Sequence, residues 1–182
     1  MPLSVFDKQI GCNKANHTFV AKPAIGRPFM PHLKEDMSAP DFDLPTDTGE
    51  RFRLSAYAGK AVLLYFYPQA DTPACTDQNI AFTAHQGTFD QKGIVLVGIS
   101  PDTPKQLAAF REKYSLSPIL VSDPDRIAID AYGAWGEKKN YGRTYTGLIR
   151  TTVLVGADGK IAQIWPNIRA KGHVERVLKA LG

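Results

Sequence analysis

Apolar and polar positions along the chain fall into two alternating patterns, one of period two and one of helical period. Phe42 and Leu44, the turn Pro45-Thr46-Asp47-Thr48-Gly49, and then Phe52 and Leu54 read as a hairpin. Ala61 to Tyr67 is an unbroken apolar run closed by Pro68, the pattern of a central strand covered on both faces. Thr72 followed by Pro73 supplies an N-cap and a first helical position, so a helix is expected from there towards Gly87 or Gly93. Ile94 to Ile99 reads as a second buried strand. Thr103 to Tyr114 reads as a helix with Leu107, Ala108 and Phe110 on its apolar side, and Pro118 to Ser122 as a short third strand. A helix around Arg126 to Tyr132 precedes a strand from Leu148 to Val155, the turn Gly156 to Gly159, and a strand from Ile161 to Trp165. A last helix, about Lys171 to Leu181, places Val174, Val177, Leu178 and Leu181 on one face.

Strands alternating with helices imply parallel neighbours in one sheet. The order strand, helix, strand, helix, hairpin, helix is the connectivity of an α/β thioredoxin-like fold, a central mixed sheet flanked by helices, here with an added N-terminal hairpin. That domain is expected over residues 33–182. Residues 1–32 carry Pro23, Pro28 and Pro31 and no sustained periodicity, and are expected to form a flexible N-terminal extension. Met30 precedes the start of the core, so residues 1–29 are also open to reading as upstream translation.

Composition narrows the class. With 43% hydrophobic and 22% charged residues in 182, the chain matches ordinary globular proteins, and its longest apolar run is far short of the roughly 18 residues a membrane span needs. The extension lacks the apolar centre of a secretory signal and the Arg- and Ser-rich bias of a transit peptide, so the cytoplasm is the expected compartment. The net charge is +4. Most of it sits in the extension, where Lys8, Lys14, Lys22 and Arg27 face Asp7 alone, so nucleic-acid binding is not expected. Two cysteines, Cys12 and Cys75, are too few for a disulfide scaffold or a cysteine-built zinc site. Neither a cofactor nor a metal is expected.

Cys75 carries the chemistry. In the first turn of the expected helix it meets unpaired backbone N–H groups and the positive end of the dipole, which favour thiolate. An ordinary thiol of pKa near 8.5 is only a few per cent ionised at neutral pH. The alternative is a buried, inert cysteine, but a position at the carboxyl end of a central strand is where ligands of open α/β sheets bind. Thr72-Pro-Ala-Cys75 stands where a disulfide oxidoreductase would carry Cys-x-x-Cys, and the threonine rules out local dithiol chemistry. A single activated sulfur suits reduction of a peroxide, with a sulfenic acid as product. The Thr72 hydroxyl is open to two roles, capping the helix and serving the site.

Pro68-Gln-Ala-Asp-Thr72-Pro-Ala-Cys75 resembles the Pro-x-x-x-Thr-x-x-Cys signature of peroxiredoxins. Ala39-Pro-Asp-Phe42, Tyr65-Phe-Tyr-Pro68, Gly98-Ile-Ser100, Trp135-Gly-Glu-Lys-Lys139 and Tyr141-Gly-Arg-Thr-Tyr145 extend the resemblance to the Q-type members, the bacterioferritin comigratory proteins. The resemblance implies a catalytic set of Cys75, Thr72, Arg150 and Pro68. Arg150 would stabilise the thiolate and bind peroxide oxygens, Thr72 would orient the peroxide, and Pro68 would shield the sulfur. It further implies thioredoxin or glutaredoxin as electron donor, with glutathione open, and a monomer or weak dimer. Many Q-type members carry a resolving cysteine five residues after the reactive one, where this chain has Ile80. A one-cysteine cycle is therefore expected, with Cys12 as the internal alternative. Ala74 and the stretch Ala81-Phe82-Thr83-Ala84 also depart from the family pattern.

Other classes fit less well. A Cys-His hydrolase fails because His85 lies ten residues on, about 15 Å along the same helix. His17, His32, His85 and His173 are expected at the surface or in packing. Asp123-Pro-Asp125 and Ala157-Asp-Gly159 read as turns and Lys138-Lys139 as a solvated loop. A non-catalytic thioredoxin-like sensor or binding module is the competing reading, and Thr72 with Arg150 argue against it because a sensor needs only a reactive thiol.

Overall fold

The computed structural model describes residues 33–140 and 143–182. The extension, including Cys12, lies outside the described residues, as do His17 and His32.

A hairpin of β1 (Asp43–Pro45) and β2 (Arg51–Arg53) opens the domain, and a 3-10 turn at Leu54–Tyr57 leads into β3 (Ala61–Phe66). Helices α1 (Pro73–Ala84) and α2 (Gln86–Gln91) follow, then β4 (Ile94–Ser100), α3 (Pro104–Tyr114), β5 (Ile119–Ser122) and α4 (Ile127–Ala131). A second hairpin, β6 (Trp135–Asn140) and β7 (Arg143–Leu148), precedes β8 (Thr151–Val155), β9 (Ile161–Trp165) and α5 (His173–Ala180). The central sheet has the order β5-β4-β3-β8-β9. It is mixed, because β3, β4 and β5 run parallel while β8 pairs antiparallel with both β3 and β9.

The apolar run of β3 has two buried faces for the reason read from its sequence. Val62, Leu64 and Phe66 point to one side, where the first hairpin supplies Phe42, Leu44 and Phe52 and α4 supplies Ala128 and Ile129. Leu63 and Tyr65 point to the other, where they meet Phe82, Phe89, Leu107, Phe110 and Val177 from α1, α2, α3 and α5. Cys75 belongs to this second layer.

Local chemistry sets the ends of the helices. Thr103 and Gln106 form a reciprocal capping box at α3, with Pro104 at its first position. The run after Thr72 ends at His85 and restarts as α2, which stops before Gly93 in a left-handed conformation (φ 68°).

Two expectations need correction. The strand expected from Leu148 to Val155 is two strands, since Leu148 ends β7 and Thr151 begins β8. The break at Ile149 and Arg150 is where the chain leaves the second hairpin and joins the central sheet; it is pinned by the Ile149 N–H, which donates to the Ala134 carbonyl at 2.8 Å. Lys138 and Lys139 are not in a loop but in β6, paired with Tyr145 and Thr144 of β7. The run Glu137-Lys-Lys-Asn140 conceals the strand because it shows no apolar alternation.

Candidate active site

The sulfur is positioned by the end of β3 and the start of α1. After β3, the Tyr67 N–H still donates to the Ile99 carbonyl at 3.0 Å, and the chain then turns away from the sheet at Pro68. The loop that follows is tied down twice. The Ala70 N–H donates to the Asp102 carboxylate at 2.7 Å, and Ser100 donates to the same oxygen at 2.7 Å. Asp71 adopts a left-handed conformation (φ 58°) and accepts from Lys113 Nζ at 2.8 Å and the Tyr114 hydroxyl at 2.7 Å. Both contacts hold Asp71 below the usual carboxylate range, Lys113 first.

Thr72 is the N-cap residue by position, with extended backbone, but its side chain does not cap. Its hydroxyl donates to the Gln69 carbonyl at 3.0 Å, while the Thr72 carbonyl accepts the Cys75 N–H at 3.1 Å and the Thr76 N–H at 2.8 Å. The hydroxyl oxygen therefore keeps its lone pairs for another partner.

Cys75 is 1% exposed. Its backbone is fixed by a buried relay in which the Tyr65 hydroxyl donates to Asn79 Oδ1 at 2.7 Å and Asn79 Nδ2 donates to the Cys75 carbonyl at 2.9 Å. The Tyr65 ring lies across Gly98 of β4, where a Cβ would sit 2.7 Å from ring carbon Cζ. That close approach accounts for glycine inside a buried strand.

Arg150 Nη2 donates to Cys75 Sγ at 3.2 Å, across 75 positions of sequence. The break between β7 and β8 frees its side chain from a strand's alternation, and its carbonyl accepts the Ile168 N–H at 2.9 Å. Arg150 Nη1 donates to Gln78 Oε1. The fork of the guanidinium thus spans the sulfur and a neighbour three residues on along α1, an arrangement only arginine's planar set of donors provides.

Of the sequence-derived set, Arg150 contacts Cys75 across the fold, while Pro68 and Thr72 precede the sulfur in the segment between β3 and the first turn of α1. The structure adds residues to which the sequence reading gave no part in the site. Gln78 is 1% exposed and connects Arg150 to His173, which is fully buried in α5. Lys138, expected in solvent, is held below the usual lysine range by burial and secondarily by the charge of Arg150. The signal that could have found Gln78 and Asn79 is their spacing of three and four residues from Cys75, which puts them on its helix face. Among the described residues no cluster of His, Cys, Asp or Glu could hold a metal, and no helix is long and apolar enough to cross a membrane.

A thioredoxin-like sheet presenting one buried thiol beneath an arginine fork defines a thiol-dependent peroxidase. The model described as AhpC/TSA family matches residues 36–164, and the chain belongs to that family as a Q-type peroxiredoxin. Peroxiredoxin Bcp of Escherichia coli K12 is 39% identical over 149 residues, covering 82% of this chain and 96% of that protein. Peroxiredoxin Bcp of Bacillus subtilis is 36% identical over 143 residues, covering 79% and 91%. A solved structure of the Xanthomonas campestris bacterioferritin comigratory protein, described in connection with alkyl peroxide reduction activity, superposes with a TM-score of 0.75 at 33% identity. It covers 82% of this chain and 96% of that one. The protein thus takes a peroxide as substrate and a thiol as reductant.

Proposed function

We propose that Cys75 is the peroxidatic nucleophile of a one-cysteine cycle, with Arg150, Thr72 and Pro68 completing its site. The observation that carries this reading is the 3.2 Å contact from Arg150 to Sγ. The Cys75 thiolate attacks one peroxide oxygen, the S–O bond forms as the O–O bond breaks, and the leaving alkoxide or hydroxide takes a proton to give alcohol or water. Arg150 donates to both the attacking sulfur and the separating oxygens, where charge moves in the transition state. Thr72, with its hydroxyl not engaged in capping, orients the peroxide, and Pro68 keeps water from the sulfur.

The sulfenic acid then condenses with an external thiol, releasing water and forming a mixed disulfide; a second thiol frees Cys75. Ile80 at the position of the usual resolving cysteine supports this cycle. Thioredoxin or glutaredoxin is the proposed donor, with glutathione as the third candidate, acting on a cytoplasmic monomer or weak dimer.

Cys75→Ser should abolish peroxide reduction while the far-UV spectrum stays native, and Arg150→Ala should lower the second-order rate with hydrogen peroxide about 10²- to 10³-fold. Stopped-flow fluorescence measures both. A Cys75→Ser protein that still consumes peroxide, or Arg150→Ala at the native rate, overturns the assignment. Titrating free thiols after one equivalent of peroxide tests the cycle, because a loss of two thiols that falls to one in Cys12→Ser would make Cys12 the resolving residue.

A further inference from the structure

We infer that His173 is a positioning residue for Arg150, acting by anchoring the Gln78 side-chain amide in place. This rests on the proposed Cys75–Arg150 site. The assignment follows from which atoms can donate. A guanidinium has only donors, so the amide atom facing Arg150 must be Oε1. Gln78 Nε2 then faces His173 Nδ1 at 2.8 Å, and Nδ1 must accept. The neutral ring therefore carries its proton on Nε2, which lies 2.9 Å from Thr152 Oγ1 and donates to it.

Reversing the amide would set its N–H groups against the guanidinium, so Arg150 dictates which amide atom faces it, and the bond from Nε2 to His173 holds the amide from its other end. His173 thus anchors the far end of the Gln78 amide, which leaves Arg150 a fixed second acceptor beside the sulfur. The ring has little freedom to yield, being fully buried with the Phe82 ring edge-on at 5.4 Å and 82°. The relay also joins separate parts of the fold. Gln78 shares α1 with Cys75, Thr152 follows Arg150 by two residues at the start of β8, and His173 arrives from α5. A residue serving only as filler would not need both ring nitrogens paired, and a leucine or phenylalanine would fill the space without a polar atom to satisfy.

Four proteins test this: His173→Leu, His173→Asn, Gln78→Ala, and Gln78→Ala with His173→Leu. The readouts are the second-order rate with hydrogen peroxide and the thiolate absorbance at 240 nm at pH 7. His173→Leu should react roughly tenfold more slowly with weaker thiolate absorbance, because a misdirected guanidinium loses its alignment with the reacting atoms. His173→Asn, whose Oδ1 replaces the acceptor, should recover most of the rate. In the Gln78→Ala background, His173→Leu should change the rate less than twofold.

A folded His173→Leu protein with native rate and absorbance overturns the inference, as does an equal loss in both backgrounds. Should His173→Leu fail to fold, nitrogen-15 NMR of the intact protein decides: a proton on Nδ1 overturns the relay, and a proton on Nε2 alone supports it. An Arg150→Ala control separates the two readings. If it reacts at the native rate the underlying site is wrong, whereas a slow Arg150→Ala beside unaffected His173 variants removes the relay alone.

Discussion

Thr72 illustrates how much at this site depends on single side chains. Its hydroxyl donates to the Gln69 carbonyl and caps nothing, so removing it should harm chemistry more than stability. Thr72→Val is expected to slow the reaction with hydrogen peroxide by about 10²-fold while costing about 1 kcal/mol of unfolding free energy in urea; Thr72→Ser should stay close to native in both. Residue type and position single out Cys75 and Thr72 in the sequence, whereas Arg150 is reached only through the family resemblance. Gln78, Asn79 and His173 were not legible. Buried polar residues look like surface residues until their partners are known, and His173 lies 95 positions from Gln78.

Among the elements, α1 shows why periodicity alone misleads. Its buried residues are Cys75, Thr76, Gln78, Asn79 and Phe82, so the inward face is largely polar and no apolar stripe marks it. The helix was found through Pro73 and its N-terminal position instead. β3 and β4, by contrast, are legible because a strand covered on both faces must be apolar throughout. The helix and the strands are joined at Gly98, where the Tyr65 ring leaves no room for a methyl group. Gly98→Ala should cost about 1–3 kcal/mol, the usual penalty of overpacking. It should also slow peroxide reduction, because Tyr65 holds Asn79 and Asn79 holds the Cys75 carbonyl. Urea unfolding and the peroxide rate, measured on the same protein, check both halves; Gly98→Ala with native stability would show that Tyr65 can move aside.

For the molecule as a whole, burial sets the response to acid. Burial, with Arg150 and Arg176 adding to it, pushes the His173 imidazole down to about 3 from an ordinary value of 6.5. Above pH 6.5 the ring is neutral in the folded and unfolded chain, and stability is unaffected by it. Between pH 6.5 and 3 the unfolded chain binds a proton that the folded one does not, so stability falls as pH falls, by up to about 1.4 kcal/mol per pH unit. Asp123, raised by burial, acts in the opposite direction lower in the range. Unfolding free energies in guanidinium at pH 7, 5.5 and 4.5 should therefore decline more steeply for the native protein than for His173→Asn; parallel declines would show that His173 takes up its proton without resistance.

Ile80 has a consequence for the fate of the oxidised enzyme. It stands 43% exposed on α1, five residues past a sulfur that is 1% exposed. With a hydrocarbon at that position, α1 offers the sulfenic acid no thiol to condense with. Under the proposed cycle its lifetime becomes a race between two visitors, a reductant that ends the wait and a second peroxide that carries the sulfur on to sulfinic acid. The outcome then depends on the ratio of the two concentrations, so the enzyme's endurance under oxidative load would be set by the surrounding thiol pool.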